Sequence, residues 1–297
     1  MAIPYEKKVM LTQGLFLSIL YSYLMQIYGI LGHPVAHSLS PAMQQAAFDA
    51  LSIDARYDHF DIAPTDLADF VQRVRVEKIA GLSVTIPHKV AIIDHLDEID
   101  AAAQAIGAVN TVYWQDPSTG SGQAKLVGTN TDWQGAMDDL EEVQKVTGKE
   151  IAVLGTGGAA RAVVYGLQQR GAGQVTVFGR SEEKLASFVT DFDVKTAPWD
   201  HFVTYEPDIV INTTPLGLAG EHEHESPIPP GYFRYEKPFV YDLIYSPAQT
   251  LLLREAAAAG CTTLNGLGML VRQGAAQFSI WTGKDAPVEL MHQVAKK

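Results

Sequence analysis

The stretch "EIAVLGTGGAARAVVYGLQQRGAGQVTVFGRS", residues 150–181, limits the possible folds more than any other part of the chain. It runs as a short apolar β-type segment, a glycine-rich turn, a helical segment and a second β-type segment. The turn fits G-x-G-x-x-(G/A) with Gly155, Gly157 and Ala160, and Thr156, Gly158 and Ala159 fill the positions between. Small residues make such a turn tight, let a pyrophosphate approach the backbone, and aim a helix N-terminus at its charge. A glycine turn alone also serves ligand-free corners; the flanking strand and helix together give the dinucleotide-binding reading. The second β-type segment ends in Gly179, Arg180 and Ser181, with Lys184 shortly after. An Asp or Glu there would hold the ribose 2′-hydroxyl of NAD, whereas a guanidinium pairs with the 2′-phosphate of NADP. Arg180 favours NADP; a solvated turn arginine is its plainer reading, and Glu182 and Glu183 nearby keep NAD open.

The same alternation extends from Gln26 onward. "QIYGILG", "RYDHFDI" and "IAGLSVTI" read as strands, and "SPAMQQAAFDALSI" and "PTDLADFVQRVRVE" as helices, the first entered through Ser40 with Pro41 at its first position. "AIIDHLDEIDAAAQAIG" reads as one helical stretch, and "AVNTVYW" and "AKLVGTN" as paired strands across "QDPSTGSGQ". After the helical "TDWQGAMDDLEEVQKV" and the glycine turn, "DIVINTTPLG" and "FVYDLIY" continue as strands, and "GMLVRQGAAQFSIWTG" as an apolar helix. Strands alternating with helices specify an α/β chain with mainly parallel sheets.

With 297 residues, 47% hydrophobic and 19% charged, the chain is long enough for two domains with their own cores. A net charge of −12 argues against binding nucleic acid or an anionic membrane. The single cysteine, Cys261, forbids an intramolecular disulfide and a multi-cysteine zinc site, and a cytoplasmic setting is expected. Residues 1–25 stand apart. "EKKVMLTQGLFLSILYSYLM" has the lysines and apolar run of a signal peptide but no small-x-small cleavage pattern, and it is short and polar for a membrane span. The expectation is that the native chain starts at Met25.

Four clusters outside the glycine turn carry chemistry. In "GLSVTIPHKV", Lys89 sits among apolar neighbours rather than in a charge-mixed run. "HSLSP" sets the hydroxyls of Ser38 and Ser40 at a helix N-terminus, which suits a carboxylate. "SVTIPHK" adds Thr85, "GAVNT" adds Asn110, and "GTNTDW" adds Asp132.

In their order and spacing, "YGILGHPVAHSLSP", "VTIPHK", "IGAVNT", "GTNTDWQG", "GTGGAARA", "NTTPLG", "YDLIYSP" and "NGLGMLVRQGAAQF" resemble the shikimate dehydrogenase family over residues 26–297. The resemblance implies a βα substrate domain at 26–128, completed by 266–297, and a Rossmann-like NADP domain at 129–265, with the site in the cleft between them. It implies reversible reduction of 3-dehydroshikimate to shikimate by NADPH, in aromatic amino-acid (chorismate) biosynthesis. Lys89 and Asp132 would be the catalytic pair. Ser38 and Ser40 would hold the substrate carboxylate, and Thr85, Asn110, Asp132, Gln273 and Tyr245 the ring. The cofactor would meet Gly155, Thr156, Gly157, Gly158, Ala159, Arg180, Ser181, Lys184, Thr213, Leu243 and Gly266. An ammonium at the ketone oxygen would stabilise the charge that hydride addition leaves and donate the proton. Oxidation needs the same lysine neutral, so alkaline pH should favour it.

The chain departs from the family's pattern at Ser83, where asparagine is usual and where support for the site could loosen. It departs also at Gly179, in place of the asparagine of "NR(T/S)", and at Arg272 and Gly274 beside Gln273. His88 is expected to be structural, and His222 and His224 to belong to a solvated loop; the chemistry asks for no metal. Competing readings are an NAD-preferring quinate/shikimate dehydrogenase, a methylene-tetrahydrofolate dehydrogenase, for which "HSLSP" has no task, and a non-catalytic sensor, which would have no use for both Lys89 and Asp132. The working unit is expected to be a monomer or homodimer.

Overall fold

The computed structural model describes residues 25–116, 123–234 and 237–296. The expected N-terminal extension therefore lies outside the described residues, apart from Met25. The first sheet takes β1 (Gln26–Gly32), β2 (Ala55–Asp61), β3 (Gly81–Val84), β4 (Glu98–Ile99), β5 (Thr111–Gln115) and β6 (Lys125–Thr129) in the order β2-β1-β3-β5-β6-β4. β1 pairs parallel with β2 and β3, while β5 runs antiparallel to both β3 and β6, so the expected β5–β6 hairpin is present.

The second sheet takes β7 (Glu150–Leu154), β8 (Gln174–Gly179), β9 (Lys195–Pro198), β10 (Ile209–Asn212), β11 (Phe239–Asp242) and β12 (Thr263–Asn265). Every pair in it is parallel, in the order β12-β11-β10-β7-β8-β9. The chain builds outward from β7 in one direction and then, from β10, in the other. In such sheets the crevice for a ligand opens at the carboxyl ends of the strands where the order reverses. Burial follows from the topology: β10 and β11 are buried at every position, as befits strands covered on both faces.

Three helices connect the sheets to the cleft. α4 (Asp132–Glu141) sends Met137 and Leu140 into the second sheet's core. α5 (Gly158–Gln169) leads from the glycine turn, and α8 (Leu267–Thr282) leaves β12 and returns to the first sheet. There Phe278 joins Phe48 and Met291 in one cluster, and the Trp281 indole donates to Val112 O at 3.0 Å. Of the remaining helices, α1 (Ser40–Ala50), α2 (Leu67–Glu77) and α3 (Ala101–Ile106) belong to the first half of the chain. α6 (Glu182–Phe192) and α7 (Leu251–Ala258) flank the second sheet, and α9 (Val288–Ala295) packs on α1 and α8.

Two expectations need correction. The stretch 91–107 is not one helix: a 3₁₀ turn at Ala91–His95 gives way to β4 and then α3. Asp97 N donates to Leu126 O at 3.0 Å and its carboxylate accepts from Leu126 N at 2.7 Å, so the edge of β6 claims this backbone. Asp100 then caps α3 by accepting from Ala103 N. Nor is Ser40 the N-cap of α1. The cap is Leu39, and it is Ser38 Oγ that accepts the Ser40 N–H, at 3.2 Å.

Candidate active site

Lys89 leaves the first sheet just past β3 on a turn that its neighbours pin on three sides. Thr85 N donates to Leu31 O, His88 N to Thr85 O, and Lys89 O accepts from Val109 N. His88 is buried and its Nε2 lies 2.7 Å from Ile62 O, which turns its ring away from the cleft. Lys89, the next residue of the same turn, points into the cleft instead. Its Nζ meets Asp132 Oδ2 at 2.5 Å, with side-chain exposures of 20% and 7%.

Asp132 opens α4, where a carboxylate is stabilised by the unsatisfied N–H groups of the first turn. Its backbone N–H is taken by Asn130 Oδ1, and its second oxygen, Oδ1, accepts from Asn110 Nδ2 at 2.8 Å. Asn110 is itself fixed: its Oδ1 accepts from Thr131 N and Thr111 Oγ1, both at 2.7 Å. Its Nδ2 also reaches Thr131 Oγ1 and Gln273 Oε1. The ammonium thus faces a carboxylate that cannot swing away.

This pair borders a cavity of about 220 Å³ whose wall includes every expected substrate residue: Ser38, Ser40, Thr85, Lys89, Asn110, Asp132, Tyr245 and Gln273. A second cavity of about 890 Å³ takes in the glycine turn, Arg180, Ser181, Lys184 and Thr213. The two share Thr85, Lys89 and Ala159. Leu243 and Gly266, expected on the cofactor side, stand in the wall of the smaller cavity.

Local sterics explain the small residues. Gly155 has φ +115°, and a Cβ on it would stand 2.6 Å from Thr213 Oγ1, whose hydroxyl donates to Leu154 O. A Cβ on Gly157 would meet nothing within 4 Å, so the α5 N-terminus opens straight into the larger cavity. Gly179 is explained by Thr156: a Cβ there would lie 2.6 Å from Thr156 Cγ2 and 3.0 Å from Leu185. The departure at 179 therefore makes room for the residue at 156. Ser181 caps α6 by accepting from Lys184 N at 3.3 Å.

Ser83 does not loosen the site, contrary to the expectation. It donates to Gln277 Oε1 at 2.5 Å and accepts from Tyr57 OH at 2.6 Å, while Gln277 Nε2 donates to Asn110 O and Thr111 Oγ1. Tyr57 and Gln277 were missed because their partners lie far away in sequence. Arg272 turns to α4, pairing with Glu142 and standing 3.9 Å from Asp139. A Cβ at Gly274 would reach Gln44 Nε2 only at 3.4 Å, so packing does not demand glycine there. His222 pairs with Glu225 at 2.9 Å on the rim of the larger cavity. Among the described residues no group of three His, Cys, Asp or Glu is placed to hold a metal ion, and no helix is long and apolar enough to cross a membrane.

Behind the cleft, Asp242 ties the ends of β10 and β11 together. Its carboxyl accepts from Asn212 Nδ2 at 2.9 Å, Ile244 N at 3.1 Å and Thr250 Oγ1 at 2.6 Å. Burial outweighs these three donors and pushes its pKa from 3.8 up to about 6. Between those values the folded protein keeps a proton that the unfolded chain releases. The contribution is thus whole below about pH 4 and lost as pH rises through about 6, and its size is about 3 kcal/mol. Asp242→Asn cannot titrate, so its stability relative to wild type should climb by up to that amount from pH 4 to pH 7. Urea unfolding across this range checks it; a pH-independent difference would show that burial does not hold the proton.

A family profile described as the shikimate dehydrogenase substrate binding domain fits residues 30–112, and one for the shikimate 5′-dehydrogenase C-terminal domain fits 266–296. A third, described as NADP oxidoreductase coenzyme F420-dependent, fits 150–221. Shikimate dehydrogenase (NADP(+)) of Oleidesulfovibrio alaskensis is 42% identical over 263 residues, which is 88% of this chain and 91% of that one. The chain belongs to the shikimate dehydrogenase family. Among solved structures, the Thermus thermophilus shikimate 5-dehydrogenase in complex with NADP(H) and shikimate superposes with a TM-score of 0.81. It is 35% identical, covering 92% of this chain and 99% of that one. The 5-ketofructose reductase of Gluconobacter sp. strain CHM43 matches at a TM-score of 0.78 and 33% identity, over 92% and 98%. A fold shared by shikimate dehydrogenases and a ketofructose reductase leaves the substrate to be argued from the cavity.

Proposed function

We propose that the protein reduces 3-dehydroshikimate to shikimate with NADPH, reversibly, using Lys89 and Asp132 as the acid–base pair. The observation that carries this reading is the place of the pair, at the seam where a small cavity with hydroxyl, amide and charged side chains in its wall meets a larger glycine-lined one. NADPH, when bound, supplies the hydride. Lys89 Nζ holds the ketone oxygen, offsets the charge that develops on it and delivers the proton; in oxidation it takes the proton back. Asp132 orients the ammonium through Oδ2 and, with Asn110 and Gln273, receives the ring hydroxyls. Ser38 and Ser40 take the carboxylate, and Thr85 and Tyr245 close the wall. Exclusion of water from so small a cavity strengthens each of these contacts.

The larger cavity fits a dinucleotide, since an open helix N-terminus at Gly157–Gly158 suits a pyrophosphate. Arg180, Ser181 and Lys184 would hold the 2′-phosphate, Thr213 the middle of the cofactor, and Leu243 and Gly266 the nicotinamide end. The domains implied are residues 26–128 with 266–297 for substrate, and 129–265 for NADP. The setting is the cytoplasm. One chain lines both cavities, so a monomer or a homodimer would serve.

The cofactor side is tested by Arg180→Ala. A charge-assisted contact to phosphate contributes about 1.5–3 kcal/mol, so KM for NADP⁺ should rise roughly ten- to 100-fold. KM for NAD⁺, which lacks the phosphate, should move less than about threefold. Equal changes for both cofactors would assign Arg180 to some other part of the cleft.

A further inference from the structure

Among the described residues, Trp199 is the one large aromatic side chain in the wall of the larger cavity, and the chemistry described above gives it no task. It stands just past the end of β9. In the parallel register of β8 and β9, Gly179 lies opposite Pro198, so Arg180 and Trp199 leave the sheet side by side at its carboxyl edge. Trp199 opens a 3₁₀ turn, Trp199–Thr204, that an aromatic cluster holds from below. Phe202 in that turn is buried, edge-on to Phe178 with centroids 5.2 Å apart and against Tyr232 at 4.8 Å. Trp199 is half-buried and packs against the same core. Part of its indole is thus fixed by the protein, and part faces a cavity that the glycine turn, Arg180, Ser181 and Lys184 also line.

The topology says which end of a dinucleotide comes here. With the pyrophosphate at the N-terminus of α5, the ribose phosphate falls to Arg180, Ser181 and Lys184, at the end of β8. The base, one unit further out, reaches the end of the next strand, β9. A flat purine needs a flat apolar partner there more than a hydrogen bond, and an indole with its body already anchored loses little rotamer freedom on stacking.

We propose that Trp199 is the stacking platform for the adenine of the dinucleotide, recognising the base while Arg180 recognises the 2′-phosphate. This rests on the reading that the larger cavity holds NADP.

The division of labour is testable, because NADP⁺ and NAD⁺ share the adenine and differ in the phosphate. Trp199→Ala should raise KM for both cofactors by a similar factor, about tenfold or more, given the worth of base stacking on aromatic side chains. It should leave kcat and the shikimate KM within about twofold, and Trp199→Phe should recover most of the loss. Inhibition by two halves of the cofactor locates the effect. The Ki of adenosine 2′,5′-bisphosphate should rise as the cofactor KM does, whereas that of nicotinamide mononucleotide should not. Unchanged cofactor KM values in a folded Trp199→Ala protein would overturn the proposal. So would a loss confined to NADP⁺, or a Ki shift for the mononucleotide as large as that for the bisphosphate. If Trp199→Ala unfolds, the Phe and Leu variants decide: a tenfold separation between them in bisphosphate Ki supports stacking, and equality overturns it. Failure of the underlying reading looks different, since wild type would then bind neither half.

Discussion

Replacing Lys89 with alanine should lower kcat for shikimate oxidation by roughly 10²–10⁴-fold, the usual worth of a positioned acid–base group. The ammonium makes a 2.5 Å contact with Asp132, and among the described residues no other cation lines the smaller cavity. No second cation is therefore at hand to offset the charge on the substrate oxygen. The fold should survive the change, because Asp132 keeps the Asn110 amide and its place in the first turn of α4. The loss should accordingly fall on kcat, with the shikimate KM changed far less. Steady-state rates with saturating NADP⁺, beside a melting curve for each protein, check both parts. A kcat within tenfold of wild type would remove Lys89 from the reaction.

Gly266→Ala should be the most disruptive single-methyl change near the cleft. A Cβ there would overlap the carbonyl carbon and oxygen of Leu243, so backbone meets backbone and no rotamer can relieve the contact. Gly266 N donates to Ile244 O, and Gly266 O accepts from Leu270 N in the first turn of α8. Separating the two strands of chain must therefore either break these bonds or push α8 outward. Since α8 carries Gln273 and Gln277, the displacement reaches Asn110 and through it Asp132. The expected cost is about 3 kcal/mol, at the upper end for overpacking, with a raised shikimate KM. Urea unfolding measures the first effect and kinetics the second. A midpoint equal to wild type would mean that the cleft yields more easily than its backbone contacts indicate.

Residue types alone made much of this arrangement legible. The glycine turn between a strand and a helix stands where it was expected, because Gly155 and Gly157 do jobs that depend only on backbone and nearest neighbours. Lys89 was conspicuous because a cation between Pro87 and a hydrophobic stretch is unusual, whereas Asp132 was marked by its place in "GTNTDW" and by the family resemblance. What stayed hidden depends on pairing across distance. The helical pattern of residues 91–107 was overridden by β6, which offers backbone partners that a local reading does not contain. The roles of Ser83, Tyr57 and Gln277 emerge only once α8 lies against β3 and β5. Trp199 belongs to no motif, and only the β8–β9 register sets it beside Arg180. Gly179 likewise stood out only as a departure from the family's pattern, and Thr156 explains it.

The central claim, a lysine–aspartate pair that exchanges a proton with the substrate oxygen where a small cavity meets a dinucleotide-sized one, is tested most directly by initial rates. Absorbance at the reduced-nicotinamide band would be followed with shikimate or quinate as substrate and NADP⁺ or NAD⁺ as acceptor. Turnover of shikimate with NADP⁺, well above the other three pairs, is the predicted result. No turnover of shikimate with either cofactor, despite measurable binding of both ligands, would contradict it.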